Sequence, residues 1–307
     1  MLPEVNTDEE WDAVVPDEAL VRPAAEDVCA RLGLPGAALT RYAEGSQPVY
    51  AVGGDHVLKL YPGSAAEDGI REGRVLRHLH GRLPLRTPEV FSSGPYVRGW
   101  RYVLMSQLPG EDLALAWPRV PAAVRADLVA QAGEALAALH ALDPAPLAPH
   151  LGPDDWHGFL AGQRAGAVAR QRACGLPEEW IARIPAFLDT VELPAGPRRV
   201  LLHTEFMRQH LLVDPRTWRL TGLIDFEPAM IGDPAYDLVG VGLFVTRGEP
   251  GLMARFQQAY GASFDARQLL AHALLHVYSN FTWYFRELPM PAEQTWEAVA
   301  EAWFAAG

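Results

Sequence analysis

Short apolar runs broken by turns fill the first hundred positions and predict a small antiparallel sheet. The turn Gly53-Gly54-Asp55 separates two of these runs and is typical of a tight β-hairpin. A second turn is predicted at residues 44–46. The predicted strands cover residues 38–44, 48–52, 56–61, 86–94 and 100–108.

Apolar positions at helical spacing predict the helices of the same region. One helical stretch covers residues 8–33, with interruptions at Pro16 and Pro23. Another ends at Gly81, since glycine commonly follows the last turn of a helix. The apolar face of this second helix consists of Ile70, Val75, Leu76 and Leu79.

The helical pattern dominates after about residue 107. The clearest helix lies within residues 121–142, and its apolar face consists of Val124, Leu128, Ala132, Ala135, Leu136 and Leu139. More helix is predicted to about residue 190 and, after a hairpin at 219–229, to the last residues. We therefore predict an α+β fold with a small, mostly antiparallel β lobe over residues 1–106 and a larger, mostly helical lobe over 107–307.

Composition narrows the class of protein. The chain has 307 residues, of which 49% are hydrophobic and 21% charged, as in ordinary globular proteins. No apolar run approaches the roughly 20 residues of a membrane span, and the acidic start does not resemble a secretion signal. Two distant cysteines give no disulfide framework. We expect a cytoplasmic protein, and the net charge of −12 argues against nucleic acid as a partner.

One lysine stands out among the cationic residues. Of 26 Lys and Arg residues only Lys59 is a lysine, and it lies within a predicted strand. Glu72 follows thirteen residues later on a predicted helix, with Glu67 as a rival partner. A strand lysine paired with a helix carboxylate provides a fixed ammonium that is suited to phosphate oxygens. The turn before it contains Ser46, whose hydroxyl could assist, but no Walker sequence is present.

The stretch "LLHTEFMRQHLLVD" carries the most distinctive polar pattern. His203, Glu205 and His210 lie within eight residues, and Asp225 follows fifteen residues after His210. Two histidines and a carboxylate favour a transition metal. The same spacing is typical of a kinase-like catalytic loop, H-x-D-x-x-x-x-N, followed by a metal-binding Asp.

Several segments together resemble the aminoglycoside phosphotransferase family, in particular hygromycin B phosphotransferases. The matching segments are "EGSQPVYAV…HVLKLY", "YVLMSQLPGEDL", "AGEALAALHAL", the His203 loop with "LIDFE", and "GDPAYDL" at 232–238. The resemblance covers roughly residues 36–290. It implies a bilobal protein-kinase-like fold and transfer of the γ-phosphate of ATP or GTP to a hydroxyl of an aminoglycoside-type antibiotic, and hence antibiotic resistance.

The resemblance also implies roles for individual residues. Lys59, paired with Glu72, would hold the phosphates, and the backbone near Met105, Ser106 and Leu108 would bind the base. Glu205 would take the catalytic position. The metal ligands would be His210 and Asp225, and the structural residues of the loop would be His203 and Asp237.

Two positions depart from the family pattern. Glu205 stands where the family has Asp, and His210 stands where it has the metal-binding Asn. Magnesium prefers oxygen ligands, so His210 adds manganese as a candidate beside Mg²⁺. Three interpretations follow: a working kinase with an altered loop, a degenerate kinase fold that binds nucleotide or ligand without efficient transfer, or a repurposed metal site.

The acceptor is expected among the late helices of the second lobe. Carboxylates and aromatic rings suit a small, cationic, hydroxylated molecule such as an amino sugar. We expect a monomer or weak dimer. The candidate acceptor residues are Glu227, Asp154, Asp155, Asn280, Trp283 and Glu287.

Overall fold

A computed structural model describes residues 2–43, 45–194, 196 and 198–306. Glu44, in the turn predicted at 44–46, lies outside the described residues. The chain divides into two compact units. The first contains Met1–Pro109 and Thr221–Pro228, and the second contains Gly110–Leu220 and Ala229–Gly307. The predicted assignment of nucleotide and acceptor binding to separate lobes stays a prediction.

The first unit is built on a five-stranded antiparallel sheet with the strand order β1-β2-β3-β5-β4. Gly53 and Gly54 adopt φ angles of 64° and 91° in the hairpin between β2 and β3, a conformation that glycine adopts at little cost. The elements of this unit are α1 Asp8–Val14, α2 Glu18–Arg31, β1 Leu39–Arg41, β2 Val49–Val52, β3 His56–Tyr61, α3 Ala66–Leu79, β4 Val90–Pro95 and β5 Arg101–Ser106.

The two faces of β3 have different neighbours, because successive side chains of a strand point to opposite faces. Leu58 and Leu60 are buried in a core that α1 and α2 cover. Lys59 and Tyr61 point to the opposite face, and the ring of Tyr61 lies against Gly69 of α3. A Cβ atom at position 69 would come within 2.7 Å of this ring, so the glycine permits the close approach of α3 to β3.

The second unit is mostly helical, as the sequence predicts. The predicted face of α5 is buried at Leu128, Ala132, Ala135, Leu136 and Leu139. Short 3₁₀ turns lie at 117–119 and 208–210, and a π-helical turn covers Val241–Thr246. The helices are α4 Leu113–Ala116, α5 Ala122–Ala141, α6 Trp156–Ala173, α7 Glu178–Ile181, α8 Ile184–Asp189, α9 Ala235–Gly240, α10 Leu252–Tyr260, α11 Ala266–Leu275, α12 Phe281–Glu287 and α13 Trp296–Phe304. The strands are β6 Glu111–Asp112, β7 Val200–Leu202, β8 Leu211–Asp214, β9 Arg219–Leu223 and β10 Met230–Gly232.

Two sequence predictions about elements are wrong. Residues 219–229 do not form a hairpin, because β10 pairs with β7, with Met230 opposite Leu202. Pro23 does not interrupt the helix, because it is the sixth residue of α2 and the helix continues past it although proline supplies no backbone N–H. Among the described helices none combines the length and apolar character needed to cross a membrane.

Candidate active site

Lys59 lies at the centre of a cluster of carboxylates in the first unit. Its Nζ atom is 3.2 Å from Glu72 Oε2, 2.7 Å from Asp225 Oδ1 and 3.0 Å from Glu227 Oε2. The lysine side chain is only 9% exposed, so these pairs are screened little by solvent. The structure thus brings together three residues that the sequence assigned to phosphate and metal binding, and adds Glu227 to them.

Glu72 is fixed by two further groups. The Tyr61 hydroxyl donates to Glu72 Oε2, and the backbone N–H of Phe226 donates to Glu72 Oε1 at 3.2 Å. Glu72 therefore joins Lys59 to the backbone that carries Asp225. Glu67, the rival partner, is exposed on α3.

Asp225 holds an unusual backbone conformation. Its φ angle is 70°, in the left-handed region that non-glycine residues rarely adopt. Such conformations persist where the surroundings stabilise them, and they cluster at functional sites. The contacts of Lys59 with the Asp225 carboxylate and of Glu72 with the next N–H provide that support here.

The cluster shifts the pKa values of its members. Burial opposes the charge on Lys59, but the carboxylates of Asp225, Glu72 and Glu227 outweigh burial and raise its pKa well above the usual value. Burial raises the pKa of Glu227 to about 7; Lys59 opposes the rise, and the charges of Asp225 and Glu72 add to it. The lysine therefore stays charged, while the Glu227 carboxyl takes up a proton at a higher pH than an ordinary glutamate does.

Ser46 and the residues at the end of β5 complete the nucleotide-side candidates. The Ser46 hydroxyl donates to Glu227 Oε1 at 3.3 Å. Met105 is buried in β5, Leu108 is half-buried beyond it, and Ser106 Oγ accepts from the N–H of Glu89 at 2.9 Å. Their assignment to the nucleotide stays a prediction.

In the second unit, the backbone of the His203 loop is held by Asp237. The fully buried carboxylate accepts the N–H of His203 at 2.8 Å and the N–H of Thr204 at 2.6 Å. These bonds support Thr204 at a φ angle of 74°. Asp237 therefore fixes the backbone immediately before Glu205.

A buried chain of hydrogen bonds continues behind Asp237. His140 Nε2 lies 2.9 Å from Asp237 Oδ2, and His140 Nδ1 lies 2.8 Å from the Tyr260 hydroxyl. Because a carboxylate only accepts, Nε2 carries a proton and donates it to Asp237. His140 was not predicted as a site residue, although it lies in "AALHAL", one of the segments that carry the resemblance.

The side chains of His210, His203 and Arg208 in the loop each have a defined contact. His210 Nδ1 lies 2.8 Å from the Glu205 carbonyl oxygen, and because a carbonyl oxygen only accepts, Nδ1 carries a proton. His203 is buried, and its ring stacks on that of His210 with centroids 5.6 Å apart. The Arg208 guanidinium donates to Glu249 at 2.9 Å and covers the ring of Trp117.

Glu205 lines a pocket of about 230 Å³ in the second unit, called here the Glu205 pocket. Asn280 and Trp283, both predicted acceptor residues, line it as well. The remaining lining residues include aromatic rings that the sequence did not single out. The full lining is Thr204, Glu205, Met207, Val239, Gly240, Phe244, His276, Tyr278, Asn280, Trp283 and Tyr284.

Other acidic candidates occupy different places. Asp155 caps α6 by accepting the N–H of Gly158 at 2.9 Å, and the neighbouring Asp154 is exposed. Glu287 is exposed at the end of α12. None of these three lines the described Glu205 pocket, and their acceptor role stays a prediction. Among residues 2–43, 45–194, 196 and 198–306, no group of three or more His, Cys, Asp or Glu could hold a metal ion.

Two buried histidines near this pocket should make stability depend on pH. Burial lowers the pKa of both His272 and His276 to about 4. Between pH 6.5 and 4 the unfolded chain binds protons that the folded chain does not, so stability falls as the pH falls through this window. We expect His272→Leu to remove about 2.5 kcal/mol of the loss between pH 7 and pH 4.5.

Urea denaturation of the wild type and His272→Leu at pH 7 and pH 4.5 measures this effect. His150→Gln is the matched control, because His150 is exposed and should leave the pH dependence unchanged. Equal acid sensitivity of wild type and His272→Leu would contradict the prediction.

Comparison with known families decides the class of the chain. The phosphotransferase enzyme family (APH) matches residues 38–272, which is most of the sequence. The chain belongs to this family. All the candidate nucleotide, metal and loop residues of this phosphotransferase lie within the matched region.

Solved structures confirm the fold of the phosphotransferase. The GDP and kanamycin complex of APH(2")-IIia matches with a TM-score of 0.72 and 18% identity, over 92% of this chain and 97% of that one. Aminoglycoside-3'-phosphotransferase of type VIII matches with a TM-score of 0.62 and 25% identity, over 82% and 97%. The streptomycin–ATP–APH(2")-IIa ternary complex matches with a TM-score of 0.62 and 15% identity, over 92% and 93%. The predicted kinase-like α+β fold, with an antiparallel sheet in one unit and helices in the other, is confirmed.

Proposed function

We propose that this phosphotransferase moves the γ-phosphate of ATP or GTP to a hydroxyl of an aminoglycoside-type antibiotic, with hygromycin B as the leading candidate acceptor. The observation that carries the proposal is the buried Lys59 ammonium held by Glu72 and Asp225. The similar structures with GDP and kanamycin and with streptomycin and ATP support it. The choice of hygromycin B rests on the sequence resemblance.

On the nucleotide side, Lys59 would supply positive charge to the phosphates. An ammonium in a site that excludes water stabilises developing negative charge more than one in solvent. Glu72 fixes its position, because Glu72 is itself held by Tyr61 and the Phe226 N–H. Asp225 and Glu227 also contact the Lys59 ammonium, and phosphate oxygens would replace part of these contacts.

Asp225 fits a magnesium ligand. Mg²⁺ in such enzymes is held by one or two carboxylates and by substrate phosphates, and Asp225 presents a carboxylate on a constrained backbone. When bound, the ion neutralises charge on the phosphate oxygens. His210 remains a proposed second ligand through Nε2, which would favour Mn²⁺ beside Mg²⁺.

On the acceptor side, Glu205 would act as the base. The acceptor hydroxyl oxygen forms a bond to the γ-phosphorus, the bond from that phosphorus to the leaving oxygen breaks, and the hydroxyl proton passes to Glu205. The Asp237 hydrogen bonds support this role because they hold the backbone next to Glu205. Asn280 and Trp283 would bind the acceptor ring.

The direct test is nucleotide turnover by the purified protein. We expect ADP or GDP to form only when hygromycin B or another aminoglycoside is added, with a phosphorylated antibiotic detected by mass spectrometry. The assay is run with ATP and GTP and with Mg²⁺ and Mn²⁺. Expression in a sensitive host should confer resistance to the same antibiotic.

The double replacement Glu205→Asp with His210→Asn separates the interpretations of the loop. Higher Mg²⁺-dependent turnover would mean that the natural residues weaken an ordinary kinase site, and lower turnover would mean that they serve this one. A nucleotide-dependent rise in melting temperature without turnover on any acceptor would favour the degenerate kinase fold. Transition metal that co-purifies without nucleotide turnover would favour the repurposed metal site.

A further inference from the structure

The segment that joins α11 to α12 forms part of the wall of the Glu205 pocket. It covers residues 276–280, of which His276, Tyr278 and Asn280 line the pocket. These residues belong to neither a helix nor a strand, so no regular ladder of hydrogen bonds fixes their backbone. The position of this part of the wall therefore depends on side chains that bind the segment from neighbouring elements.

Gln171 on α6 is the side chain that binds the end of this segment. It is fully buried, and it is not among the described residues that line the pocket. Gln171 Nε2 donates to Ser279 Oγ at 2.8 Å and to the Ser279 carbonyl oxygen at 3.3 Å. Gln171 Oε1 accepts the N–H of Phe281 at 2.9 Å. One amide thus binds the residues on both sides of Asn280, and both its hydrogens and its oxygen are used.

These contacts also determine where α12 begins. Phe281 is the first residue of α12, and Asn280 Oδ1 caps the helix by accepting the N–H of Trp283 at 3.0 Å. The Trp283 ring in turn stacks on Phe244, with centroids 5.6 Å apart. A displacement of the Gln171 amide would therefore move Asn280 and the start of the helix that carries Trp283.

Two tyrosines bind the beginning of the same segment independently of that amide. The Tyr236 hydroxyl accepts the N–H of Val277 at 2.9 Å. The Tyr284 hydroxyl donates to the carbonyl oxygen of Tyr278 at 3.2 Å. Loss of the amide would leave these bonds in place, so we expect a local shift of residues 279–283 while the second unit keeps its fold.

Removal of the Gln171 amide would displace this backbone because solvent cannot replace it. Ser279 is 2% exposed and Phe281 is fully buried, so the hydroxyl of one and the N–H of the other would lack a partner. A buried polar group without a hydrogen bond is costly, and movement of the chain relieves that cost. A methionine fills nearly the same space as the glutamine but cannot bind either group in this way.

We propose that Gln171 is a positioning residue for the acceptor, which it governs through Asn280 and Trp283. Its bonds to Ser279 and Phe281 hold these two predicted acceptor residues in the orientation that binds the acceptor ring. The inference rests on the proposed function and deepens it, because it names a residue outside the pocket lining that determines how well the acceptor binds.

The proposal predicts weaker acceptor binding without weaker nucleotide binding. The hydrogen bonds of Gln171 lie within the second unit, whereas Lys59 and Asp225 lie in the first. We expect Gln171→Met to raise KM for the acceptor by at least about 10-fold and to leave KM for the nucleotide within about 2-fold of the wild type. Steady-state kinetics with hygromycin B, or with the aminoglycoside that supports turnover by the wild type, measures both constants. A variant that only folds poorly would lower the apparent kcat and leave both KM values unchanged.

Gln163 provides a control with the same chemical change. It lies about two turns earlier on α6, is half-buried, and its Oε1 atom accepts no hydrogen bond from the described residues. Gln163→Met should therefore leave both KM values as in the wild type. An unchanged acceptor KM in Gln171→Met, or an equal rise of its two KM values, would overturn the inference.

Ser279→Ala gives a second, milder test. It removes the hydroxyl that accepts the shorter bond and keeps both backbone contacts of Gln171. We expect a rise of about 3-fold in the acceptor KM, and no further rise when the change is added to Gln171→Met, because the effects of partners in one hydrogen bond do not add. Fully additive effects would contradict the inference.

The proposed function fails separately, since it falls if the wild type phosphorylates no acceptor. Hydrogen exchange measured by mass spectrometry tests the positioning contact without an acceptor. We expect the amides of residues 279–283 to exchange at least about 10-fold faster in Gln171→Met than in the wild type and in Gln163→Met. Equal exchange in the three proteins would overturn the inference whatever the acceptor is.

Discussion

Replacing Lys59 with methionine should lower kcat/KM by about a thousand-fold. The variant loses a preorganised donor to the phosphates, and one such donor contributes about 10²–10³ in rate. It also leaves Glu72, Asp225 and Glu227 together without their shared cation. Because a buried charge without its partner is strongly destabilising, we also expect a loss of about 3 kcal/mol in the free energy of unfolding. Steady-state kinetics and urea denaturation measure the two effects.

The instability of the Lys59 variant should itself depend on pH. Without the ammonium, the clustered carboxyls bind protons more tightly in the folded protein than in the unfolded chain, so the variant should regain stability as the pH falls. Arg74→Met is a suitable control, because Arg74 is exposed on α3. Turnover by Lys59→Met within about 10-fold of the wild type would contradict the assignment of Lys59 to the phosphates.

Replacing Asp237 with alanine should have the largest effect on the second unit. The backbone N–H groups of His203 and Thr204, and the ring of His140, would lose a buried acceptor. Each unsatisfied buried donor costs about 1–3 kcal/mol, so the free energy of unfolding should fall by about 4 kcal/mol. Because the backbone next to Glu205 would also shift, we expect at least about 10²-fold lower turnover. Thermal melting and kinetics at low temperature separate the two losses.

Asp127 provides the comparison for Asp237. Its side chain is 70% exposed on α5, so Asp127→Ala should change the free energy of unfolding by less than about 0.5 kcal/mol. If Asp237→Ala were as stable and as active as Asp127→Ala, the hydrogen bonds to the loop would have no supporting role.

The sequence predicts the parts of the site that follow from local pattern. Lys59 was identified from composition and strand position, and Glu72 from helix spacing, and the structure brings their side chains to 3.2 Å. The spacing from His203 to His210 is a local sequence pattern, and it can be recognised without knowing any tertiary contact. Such local patterns predict structure well, because the spacing of apolar residues within one segment indicates whether it forms a helix or a strand.

The parts that were missed depend on contacts distant in sequence. The ion pair of Glu227 with Lys59 joins residues far apart in the sequence, so no local pattern predicts it, and the acceptor role of Glu227 stays a prediction. The pairing of β10 with β7 joins segments about thirty residues apart, and a hairpin between neighbours was the simpler expectation. The hydrogen bond by which Asp155 caps α6 was likewise not predicted from its acidity.

The burial of the only lysine gives the molecule an unusual chemical property. Its many surface cations are arginines, and the one ε-amino group is 9% exposed and enclosed by carboxylates. An amine-directed label on a side chain can therefore report on a single position. Because the enclosed ammonium stays charged in the folded protein, the label should react when the chain unfolds, so the mass of one peptide would follow unfolding. Most enzymes, with many surface lysines, do not allow this readout.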